Sequence, residues 1–488
     1  MEDYAAWALE AAADPGIEYA DVRVIEERHR SLATKNGKLG HASDLETLGI
    51  GIRVLRHGAW GFAATDQMTR AGVIAAARHA AAIAAASARV QQRGIALAPE
   101  PAHQAAWQSP CEIDPFAVPV ERQIGLLLAV DAELRAVQGV TLAEAEMDFR
   151  RQRQLFVSSA GSQILQTRVQ SGAGYAATSF GENEIQRRSY PNSFGGQFQL
   201  RGYELIDDLR LVENARRVGE EAVALHRAAQ CPQLTGTLIL DSSQLGLQIH
   251  ESIGHPIELD RVLGAEANFA GMSFLTLDKL GHLRYGSPLV NVVADARLAH
   301  GPGLGTFAFD DEGVPAQCLD IIRGGEFVGY ISSRETASAI GRERSGGCMR
   351  AESWNRIPLI RMTNISILPG PQPLSPEQLI ADTEAGVYME TNRSWSIDDK
   401  RYNFQFGCEI GWEVRGGKRV RMLKNPSYSG ITTEFWSSLD AICSRPHWTL
   451  WGTPNCGKGQ PQQTMGTGHG AAPARFRDVK IGTAYRQE

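Results

Sequence analysis

The chain has 488 residues, 43% of them hydrophobic and 21% charged, which is the composition of a soluble globular protein and not of a disordered segment or a membrane channel. Lysine and arginine total 49 against 55 aspartates and glutamates, so the formal net charge is -6. Proteins that depend on phosphate contacts carry a basic surplus, and nucleic acid is therefore disfavoured as a partner. Two or three domains are expected at this length.

Residues 1–95 predict an α/β domain. A helix over Tyr4 to Ala13 is followed by three strand-like runs and then by an alanine-rich helix, Gly72 to Val90. The strand-like runs are Asp21 to Ile25, Leu48 to Leu55 and Trp60 to Ala64. Because the alanine-rich segment contains Arg78 and His79, we expect a packed helix there and no membrane span.

The next two segments are predicted to be a linker and a central domain. Residues 96–116 are rich in proline and show no periodicity, which is typical of a linker. Residues 117–230 predict a central α/β domain. It is expected to contain a helix from Val120 to Val137, short antiparallel strands, and a second helix from Asp208 to Ala229.

Residues 231–488 are rich in glycine and predict a mostly β domain. A strand is expected over Thr235 to Leu240, and two hairpins are expected around Gly324-Gly325 and Gly416-Gly417. Across the chain the strands cluster in runs and do not alternate regularly with helices. The expected fold class is therefore α+β with antiparallel sheets and helices.

The cysteines and the N-terminus predict a cytoplasmic protein. The 7 cysteines are scattered singly, without a C-x-x-C pair, which is the usage expected of reduced thiols. The first residues, Met-Glu-Asp-Tyr, lack the basic start of a signal peptide, so no export is expected.

One segment carries a motif for metal chemistry. His250-Glu251-Ser252-Ile253-Gly254-His255 reads H-E-x-x-x-H and follows a predicted helix. In the more common H-E-x-x-H helix the two imidazoles lie four residues apart and bind one metal, while the Glu acts as base. A spacing of five turns by about 140° in a regular helix, so the two rings would not share an ion.

A π-bulge resolves this mismatch, because one wide turn returns a spacing of five to nearly the same face. Gly254 makes the distortion less costly. Pro256 lacks an N–H and disfavours helical geometry at the preceding residue, so we expect the helix to end or kink where His255 is presented.

Two histidines leave a tetrahedral zinc in need of a third protein ligand and an open position for water. Any Cys, Asp, Glu or His brought close by the fold is a candidate. Cys456 is the one favoured locally, because it lies in a loop beside the cation Lys458, a setting that favours thiolate. The alternative is an ordinary buried thiol.

Short motifs distributed along nearly the whole chain resemble those of the TldD/PmbA family of metalloproteases, formerly called modulators of DNA gyrase. They are Ala20-Asp21-Val22-Arg23, Gly58 to Thr65, His250 to Asp260, Asp310 to Gly313, Asn355 to Pro358, Arg361 to Asn364, Asn425 to Tyr428 and Asn455 to Gln460. The complete H-E-x-x-x-H resembles the active, TldD-like subunit and not the paralogue that has lost the motif.

The resemblance implies that His250, His255 and Cys456 bind Zn²⁺ and that Glu251 is the catalytic carboxylate. It implies a zinc-dependent peptidase for small or unfolded peptides, with Glu251 as general base on a water that the zinc activates. It also implies a homodimer, or a heterodimer with a PmbA/TldE-like paralogue. From the glycine-rich β half we expect the peptide to bind in extended form, as an added strand.

Two other functions stay open on the sequence. The first is a non-catalytic regulator of gyrase or another protein, in which the metal is a structural clip. The second is a different zinc hydrolase, such as an amidase, because zinc-water chemistry does not specify the acyl group.

Several further side chains have two interpretations each. Tyr428 and His469 are either oxyanion donors or, as we favour, hydrogen-bonded loop residues. Glu258 and Asp260 either accept the free ring N–H of His255 or form a solvated turn. The remaining candidates are Asp310-Asp311-Glu312, as a Ca²⁺ site or, preferably, a charged turn, and Arg342, Arg344, Arg350, Arg356 and Arg361, as a substrate-binding group or, preferably, paired surface residues.

Overall fold

The computed structural model describes residues 1–482, so residues 483–488 of the predicted C-terminal domain lie outside the described part. Three large sheets, mostly antiparallel, and short helices make up the chain, and the predicted α+β class is confirmed. The helices are α1 Glu2–Ala12, α2 Arg70–Ser87, α3 Val120–Arg135, α4 Glu204–Asp208, α5 Leu211–Ala224, α6 Ser242–Ile249, α7 Leu259–Val262, α8 Pro376–Ala381 and α9 Thr432–Ser437.

The strands of residues 1–240 are β1 Ile17–Lys35, β2 Lys38–Arg56, β3 Ala59–Thr65, β4 Gln104–Gln108, β5 Leu142–Ser158, β6 Gln163–Phe180, β7 Ile185–Tyr190, β8 Gln197–Gln199, β9 Ala229–Gln230 and β10 Leu234–Leu240. The later strands are β11 Val292–Asp295, β12 Cys318–Arg323, β13 Glu326–Phe327, β14 Met349–Arg350, β15 Leu359–Ile360, β16 Asn364–Ile367, β17 Ala385–Ile397, β18 Asn403–Arg415, β19 Lys418–Lys424, β20 Ser427–Ile431, β21 Leu439–Ile442, β22 Thr449–Lys458, β23 Gln463–Ala471 and β24 Ala474–Ile481. The two predicted hairpins are confirmed as β12–β13 and β18–β19.

The first sheet runs through the N-terminal half of the chain. Its order is β3-β2-β1-β5-β6-β4, and β7 and β8 also pair with β6. The sheet therefore joins strands from the predicted domains 1–95 and 117–230, and β4 lies within the predicted linker 96–116. The domain boundaries stay a prediction.

Two alanine-rich helices, α1 and α2, cover one end of this sheet. Helices α1 and α2 bury Ala8, Ala77 and Ala80 against the sheet, and side chains this small let helix and strand approach closely. At Gly61 of β3 the approach leaves no room for a side chain, because an added Cβ would lie 2.0 Å from the carbonyl oxygen of Ala80. Helices α3 and α5 cover the other part of the sheet in a separate apolar cluster.

Two further sheets form the C-terminal half and enclose α6. The second sheet has the order β17-β10-β24-β20-β18-β19-β9, and the third has the order β13-β12-β11-β16-β23-β22. Every residue of α6 is buried between β17 of one sheet and β23 of the other. The residues that follow α6 are therefore delivered into the interior of this half.

Among residues 1–482, no helix combines the length and the apolar character that crossing a bilayer requires. Helix α2, which the sequence predicted to be packed, buries Val73, Ala77 and Ala80. Within the same residues all seven cysteines are free thiols.

Candidate metal centre

The wide turn expected at the motif is present. Helix α6 begins at an N-cap Asp241, whose carboxylate accepts from the backbone N–H of Ser243 at 2.7 Å. It continues into a π-helical turn, His250–Gly254, in which the N–H of His255 donates to the carbonyl of His250 at 3.1 Å. The ring centroids of His250 and His255 are consequently only 4.8 Å apart, so the π-bulge prediction is confirmed.

Gly254 is needed for space as well as for backbone freedom. A Cβ at this position would lie 2.2 Å from Sδ of Met362, which is itself fully buried. The sequence argument attributed Gly254 to the ease of distorting the helix. The structure adds a neighbour that a single sequence does not reveal, because Met362 lies more than 100 residues further along the chain.

Three potential ligands converge at this turn. His250, His255 and Cys456 are at most 5% exposed, and their donor atoms all lie within 4.8 Å of one another. Cys456 comes from β22, and its Sγ lies 3.9 Å from Nε2 of His255. The structure thus brings together the three residues that the sequence singled out, and their role as metal ligands stays a proposal.

The ring of His250 is oriented by a second histidine. Nδ1 of His469 lies 3.2 Å from the carbonyl oxygen of Ile365, so that nitrogen carries the proton and donates. Nε2 of His469 is then an acceptor, and Nδ1 of His250 lies 2.7 Å from it. This chain of hydrogen bonds leaves the lone pair of His250 on Nε2, the nitrogen not engaged by His469.

The ring of His255 is oriented by a buried carboxylate. Nδ1 of His255 lies 3.2 Å from Oε2 of Glu258, which leaves Nε2 facing the sulfur of Cys456. Glu258 also lies 3.2 Å from Nε of Arg261 and 3.4 Å from Nζ of Lys458. Of the two interpretations given to Glu258, the hydrogen-bonded one is confirmed and the solvated turn is wrong, because the residue is fully buried.

Burial and neighbouring charges shift the pKa values of all three side chains downward. Burial lowers the pKa of His250 and of His255, because an imidazolium ion loses its hydration there. Burial alone would raise the pKa of the Cys456 thiol, but Arg361 and His255 outweigh it and lower that pKa below its usual value. Lys458, the cation noted in the sequence, instead binds both carboxylate oxygens of Asp260 at 2.7 and 2.9 Å.

This donor set fits zinc. With Zn–N near 2.0–2.1 Å and Zn–S near 2.3 Å, tetrahedral geometry separates nitrogen from sulfur by about 3.6 Å. The distance between Nε2 of His255 and Sγ of Cys456 is 3.9 Å, so a small adjustment of the two side chains would suffice. Two neutral nitrogens and one sulfur leave the fourth position of the tetrahedron free.

Glu251 has a cationic partner that the sequence did not reveal. Its Oε2 accepts from Nη1 of Arg401 at 2.8 Å, and both side chains are largely buried. Arg401 lies in the turn between β17 and β18 with a positive φ of 63°. Its carbonyl accepts from the hydroxyl of Thr432 at 3.1 Å, which fixes the turn. No local pattern singles out Arg401, since it is 150 residues from its partner.

Comparison with known protein families gives this centre a context. A model described as the PmbA/TldA metallopeptidase C-terminal domain matches residues 235–483, about half of the chain, and a model of domain 1 of the same metallopeptidases matches residues 20–84. The chain belongs to the PmbA/TldD metallopeptidase family. The C-terminal match includes the whole H-E-x-x-x-H segment and Cys456.

Individual relatives agree with this assignment. A metalloprotease of Methanothermobacter thermautotrophicus is 29% identical over 469 residues, with 96% of each chain covered. A crystal structure of a putative modulator of a DNA gyrase from Thermotoga maritima has the same fold, with a TM-score of 0.77 at 16% identity over 99% of this chain and 100% of that one. TldE from Thermococcus kodakarensis superposes with a TM-score of 0.71 at 15% identity over 99% and 100%.

The chain is therefore a metallopeptidase, as the motif and the resemblance predicted. The family assignment favours this activity over the two alternatives considered from the sequence, a non-catalytic regulator and a non-peptide amidase.

Neither candidate oxyanion donor of this PmbA/TldD metallopeptidase has a free donor group. The hydroxyl of Tyr428 lies 2.9 Å from Nε2 of Gln244 and 3.0 Å from Oε1 of Gln248, and its ring is fully buried. Both ring nitrogens of His469 are occupied as described above. Both residues are hydrogen-bonded, as the sequence favoured, but they lie in strands β20 and β23 and not in loops.

The acidic triplet Asp310-Asp311-Glu312 forms a charged turn, as favoured, but the turn is buried. All three side chains are at most 3% exposed. Asp310 accepts from the backbone N–H groups of Val314 in its own loop and of Met349 on β14, each at 3.0 Å. Asp311 and Glu312 instead reach the first sheet.

The five arginines only partly match the expectation of paired surface residues, because Arg356 pairs with Glu352 at 3.9 Å but two of the others are buried. Arg344 does pair with an acid, Glu100, and is half-exposed. Arg350 and Arg361 are at most 5% exposed, and both donate to backbone carbonyls. Sequence spacing alone does not separate these two groups, since exposure depends on the strands that pack over them.

Proposed function

We propose that this metallopeptidase is a zinc enzyme that hydrolyses small or unfolded peptides, with His250, His255 and Cys456 as the metal ligands and Glu251 as the general base. One observation supports this most strongly. The three donor atoms lie within 4.8 Å of one another, and Glu251 follows the first of them directly in the same buried π turn.

Zinc held by these residues would supply a Lewis acid that polarises the scissile carbonyl and acidifies a water molecule. The chain itself supplies the orientation of the ligands. Ile365 and His469 hold the ring of His250, and Glu258 holds the ring of His255, so each presents Nε2 without a further search of rotamers.

Glu251 supplies the proton transfer. Its carboxylate takes a proton from the attacking water while the water oxygen bonds to the carbonyl carbon. When the C–N bond breaks, the same carboxyl returns the proton to the leaving amine nitrogen. Arg401 holds one oxygen of Glu251 at 2.8 Å, which leaves the other oxygen for the water.

An edge strand beside the ligands supports binding of the peptide in extended form. Among the described strands, β22 pairs only with β23 and is an edge of the third sheet, with Gln197 of β8 bonded to its first residues at Leu450 and Gly452. This strand carries Cys456. A peptide that adds to the edge through main-chain hydrogen bonds would pass close to the metal ligands, with little dependence on its sequence.

The burial of the centre supports a preference for unfolded substrates. Each proposed ligand and Glu251 is at most 5% exposed. A folded protein cannot bring a backbone segment to this depth, whereas a single extended chain can. Cleavage of one protein in its native and its denatured form tests this, and equal rates would contradict the preference.

The partner is proposed to be a second copy or a paralogue of the same fold. The TldE of Thermococcus kodakarensis has this fold, which makes a heterodimer of related chains a reasonable assembly. Sedimentation of the purified chain, alone and with a TldE-like paralogue from the same organism, distinguishes the two. The cytoplasmic location predicted from the cysteines and the N-terminus stays a prediction.

The central experiment compares metal content with cleavage of an unstructured peptide. We expect wild type to bind about one zinc per chain and to cleave the peptide. Glu251→Gln should retain the zinc but lose cleavage by at least about 100-fold, because general acid–base catalysis is worth about 10²–10⁴-fold. Glu220→Gln, an exposed helix residue, is the matched control and should behave as wild type.

His250→Ala should lose zinc and cleavage together. If Glu251→Gln cleaves at the wild-type rate, Glu251 is not the base. If neither peptides nor simple amides are cleaved by zinc-loaded wild type, the peptidase proposal itself fails.

A further inference from the structure

A small cavity rich in arginine lies between the first sheet and the C-terminal half. Its volume is about 50 Å³, and three guanidinium groups line it, those of Arg150, Arg168 and Arg350. Leu200 and Met465 form apolar wall beside them. About 10–15 Å³ of such volume holds one water, so the two oxygens of a carboxylate fit.

The register of the first sheet builds one wall of the cavity. Strands β5 and β6 pair Arg150 with Gln170 and Gln152 with Arg168. Since side chains two apart along a strand share a face, these four side chains form a block on one face. All four can donate hydrogen bonds, and the two arginines are diagonal neighbours. Like charges in this arrangement repel unless something compensates them.

Arg350 closes the cavity from the opposite side. Its terminal nitrogens donate to the carbonyls of Met362, Gly466 and Leu304 at 2.8–3.0 Å, which holds the side chain rigidly. Its Nε is buried and has no hydrogen-bond partner in the described part of the chain. Nε of Arg150 is also buried without a hydrogen-bond partner in the described residues. Buried donors without partners are rare, because each loses its hydration.

The charges around the cavity are not balanced locally. Within residues 1–482, no carboxylate lies within 4.0 Å of a guanidinium nitrogen of Arg168 or Arg350. Arg150 does have one, with Glu27 at 2.9 Å. Glu352 is the one acidic residue that lines the cavity, and its nearest cation is the more exposed Arg356 at 3.9 Å.

The pKa of Arg350 reflects this imbalance of charge. Burial and the neighbouring Arg168 and Arg361 lower the pKa of Arg350 to about 9. Asp311 acts in the opposite direction but does not outweigh them, and an anion in the cavity would add to its effect.

The cavity adjoins the proposed metal centre through strands β22 and β23. Met465, which lines the cavity, is the cross-strand partner of Cys456. A wider cleft of about 310 Å³ shares Arg150, Gln170 and Glu352 with the cavity. Pro454, on β22 with Cys456, and Thr464, on β23 with Met465, line that cleft.

We propose that the arginine cavity binds a carboxylate group of the peptide substrate. This inference rests on the proposed peptidase function and goes beyond it by assigning a specificity site. Arginine matches a carboxylate through two parallel N–H···O bonds, and the flanking glutamines add further donors. The carboxylate is either that of the peptide C-terminus or that of an acidic side chain.

Three peptides of one sequence separate these sources. The first has a free C-terminus, the second has a C-terminal amide, and the third has the amide and one added glutamate. With wild type we expect the KM of the free acid to be about tenfold lower than that of the amide, because hydrogen bonds to a charged group contribute this much. The third peptide reports whether a side-chain carboxylate substitutes.

Arg168→Gln tests the residue assignment. It keeps a hydrogen-bond donor but removes the charge, and the difference in KM should fall below about twofold. Arg153→Gln is the matched control. It changes an arginine of the neighbouring strand β5 that is half-exposed and does not line the cavity, so the difference should persist. If Arg168→Gln is unfolded by circular dichroism, Arg150→Gln replaces it.

Acetate tests the cavity without catalysis. Sodium acetate should raise the thermal unfolding midpoint of wild type and of Arg153→Gln relative to sodium chloride at equal ionic strength, but not that of Arg168→Gln. No acetate effect on wild type would overturn the proposal. Acetate binding with equal KM values for all three peptides would overturn its assignment to the substrate. If no peptide is cleaved at all, the peptidase function has failed, and the acetate result still decides whether the cavity binds carboxylates.

Discussion

At the scale of single residues, the centre depends on the side chains that hold the ligands as much as on the ligands. Lys458 is the clearest case. It is two residues beyond Cys456 on β22 and fully buried, and its ammonium binds Asp260, the carbonyl of Ile360 and, at 3.4 Å, Glu258. Although burial opposes ionisation, Lys458 and His255 lower the pKa of Glu258 well below its usual value. Strand β22 therefore supplies both the proposed ligand Cys456 and the cation Lys458. Lys458 in turn supports Glu258, which accepts the hydrogen bond from His255.

Replacing Lys458 by methionine should weaken zinc binding. The change keeps an unbranched side chain one atom shorter but leaves the carboxylates of Glu258 and Asp260 without their main counter-charge. We expect the zinc affinity to fall by about 10–100-fold, the usual effect of losing an outer partner of a metal ligand. Competition with a fluorescent chelator measures it.

A matched lysine separates this effect from the general cost of losing an ion pair. Nζ of Lys424 lies 2.8 Å from Glu184 in a part-buried position on β19 and has no contact with the metal ligands. Lys424→Met should retain the wild-type zinc affinity. Equal affinities in the two variants would contradict a role for Lys458 in holding His255 through Glu258.

At the scale of elements, the π turn is the feature on which the centre depends, and Gly254 is its most demanding position. A methyl group there would have to displace Met362 from the core. We expect Gly254→Ala to destabilise the protein by about 1–3 kcal/mol, the usual cost of overpacking, and to lower its zinc content. Thermal unfolding and metal analysis measure the two effects.

Gly125 is the matched control for this change. It lies in α3, and an added Cβ would meet nothing within 4 Å. Gly125→Ala should stabilise the protein slightly, because alanine is the better helix former by about 1 kcal/mol. Met362→Ala should relieve part of the defect of Gly254→Ala, and additive losses would show that the clash is not the cause.

The length of the first-sheet strands is where the sequence was least informative about elements. The helix predicted at Gly72 to Val90 is close to α2, but the strand predicted at Asp21 to Ile25 belongs to β1, which has 19 residues. Residues 38–48 of β2 are exposed almost throughout. A strand is predicted from the alternation of apolar and polar residues that one buried face produces. Residues 38–48 have no buried face and therefore show no such alternation.

The residues of the candidate site also differ in how far the sequence could predict them. His250, Glu251 and His255 were predictable because one turn holds them in a known pattern, and the spacing of five itself indicated the wide turn. Cys456 was supported by resemblance. Arg401 was not predictable, because it reaches Glu251 only through the fold of a distant hairpin.

At the scale of the whole molecule, a buried ion network joins the first sheet to the C-terminal half. Arg53 on β2 contacts Asp21 on β1 at 2.6 Å and Glu312 at 3.5 Å, and all three are at most 3% exposed. Glu312 also accepts from the backbone N–H of Arg334 at 2.8 Å. The guanidinium of Arg53 lies over the ring of Trp60 at 4.5 Å. Arg53 therefore pairs with one carboxylate from each half of the chain.

Replacing Arg53 by methionine should loosen this junction, because it leaves Asp21 and Glu312 buried without their shared cation. The expected loss is about 3–5 kcal/mol of unfolding free energy, measured by chemical denaturation. Arg216→Met removes an exposed pair with Glu220 and should cost less than about 1 kcal/mol. Replacing Asp21 and Glu312 by leucine in the Arg53→Met background should restore most of the stability, since it removes the uncompensated charges. If Arg53→Met is as mild as Arg216→Met, the network does not hold the two halves together, and apolar contacts between them must do so.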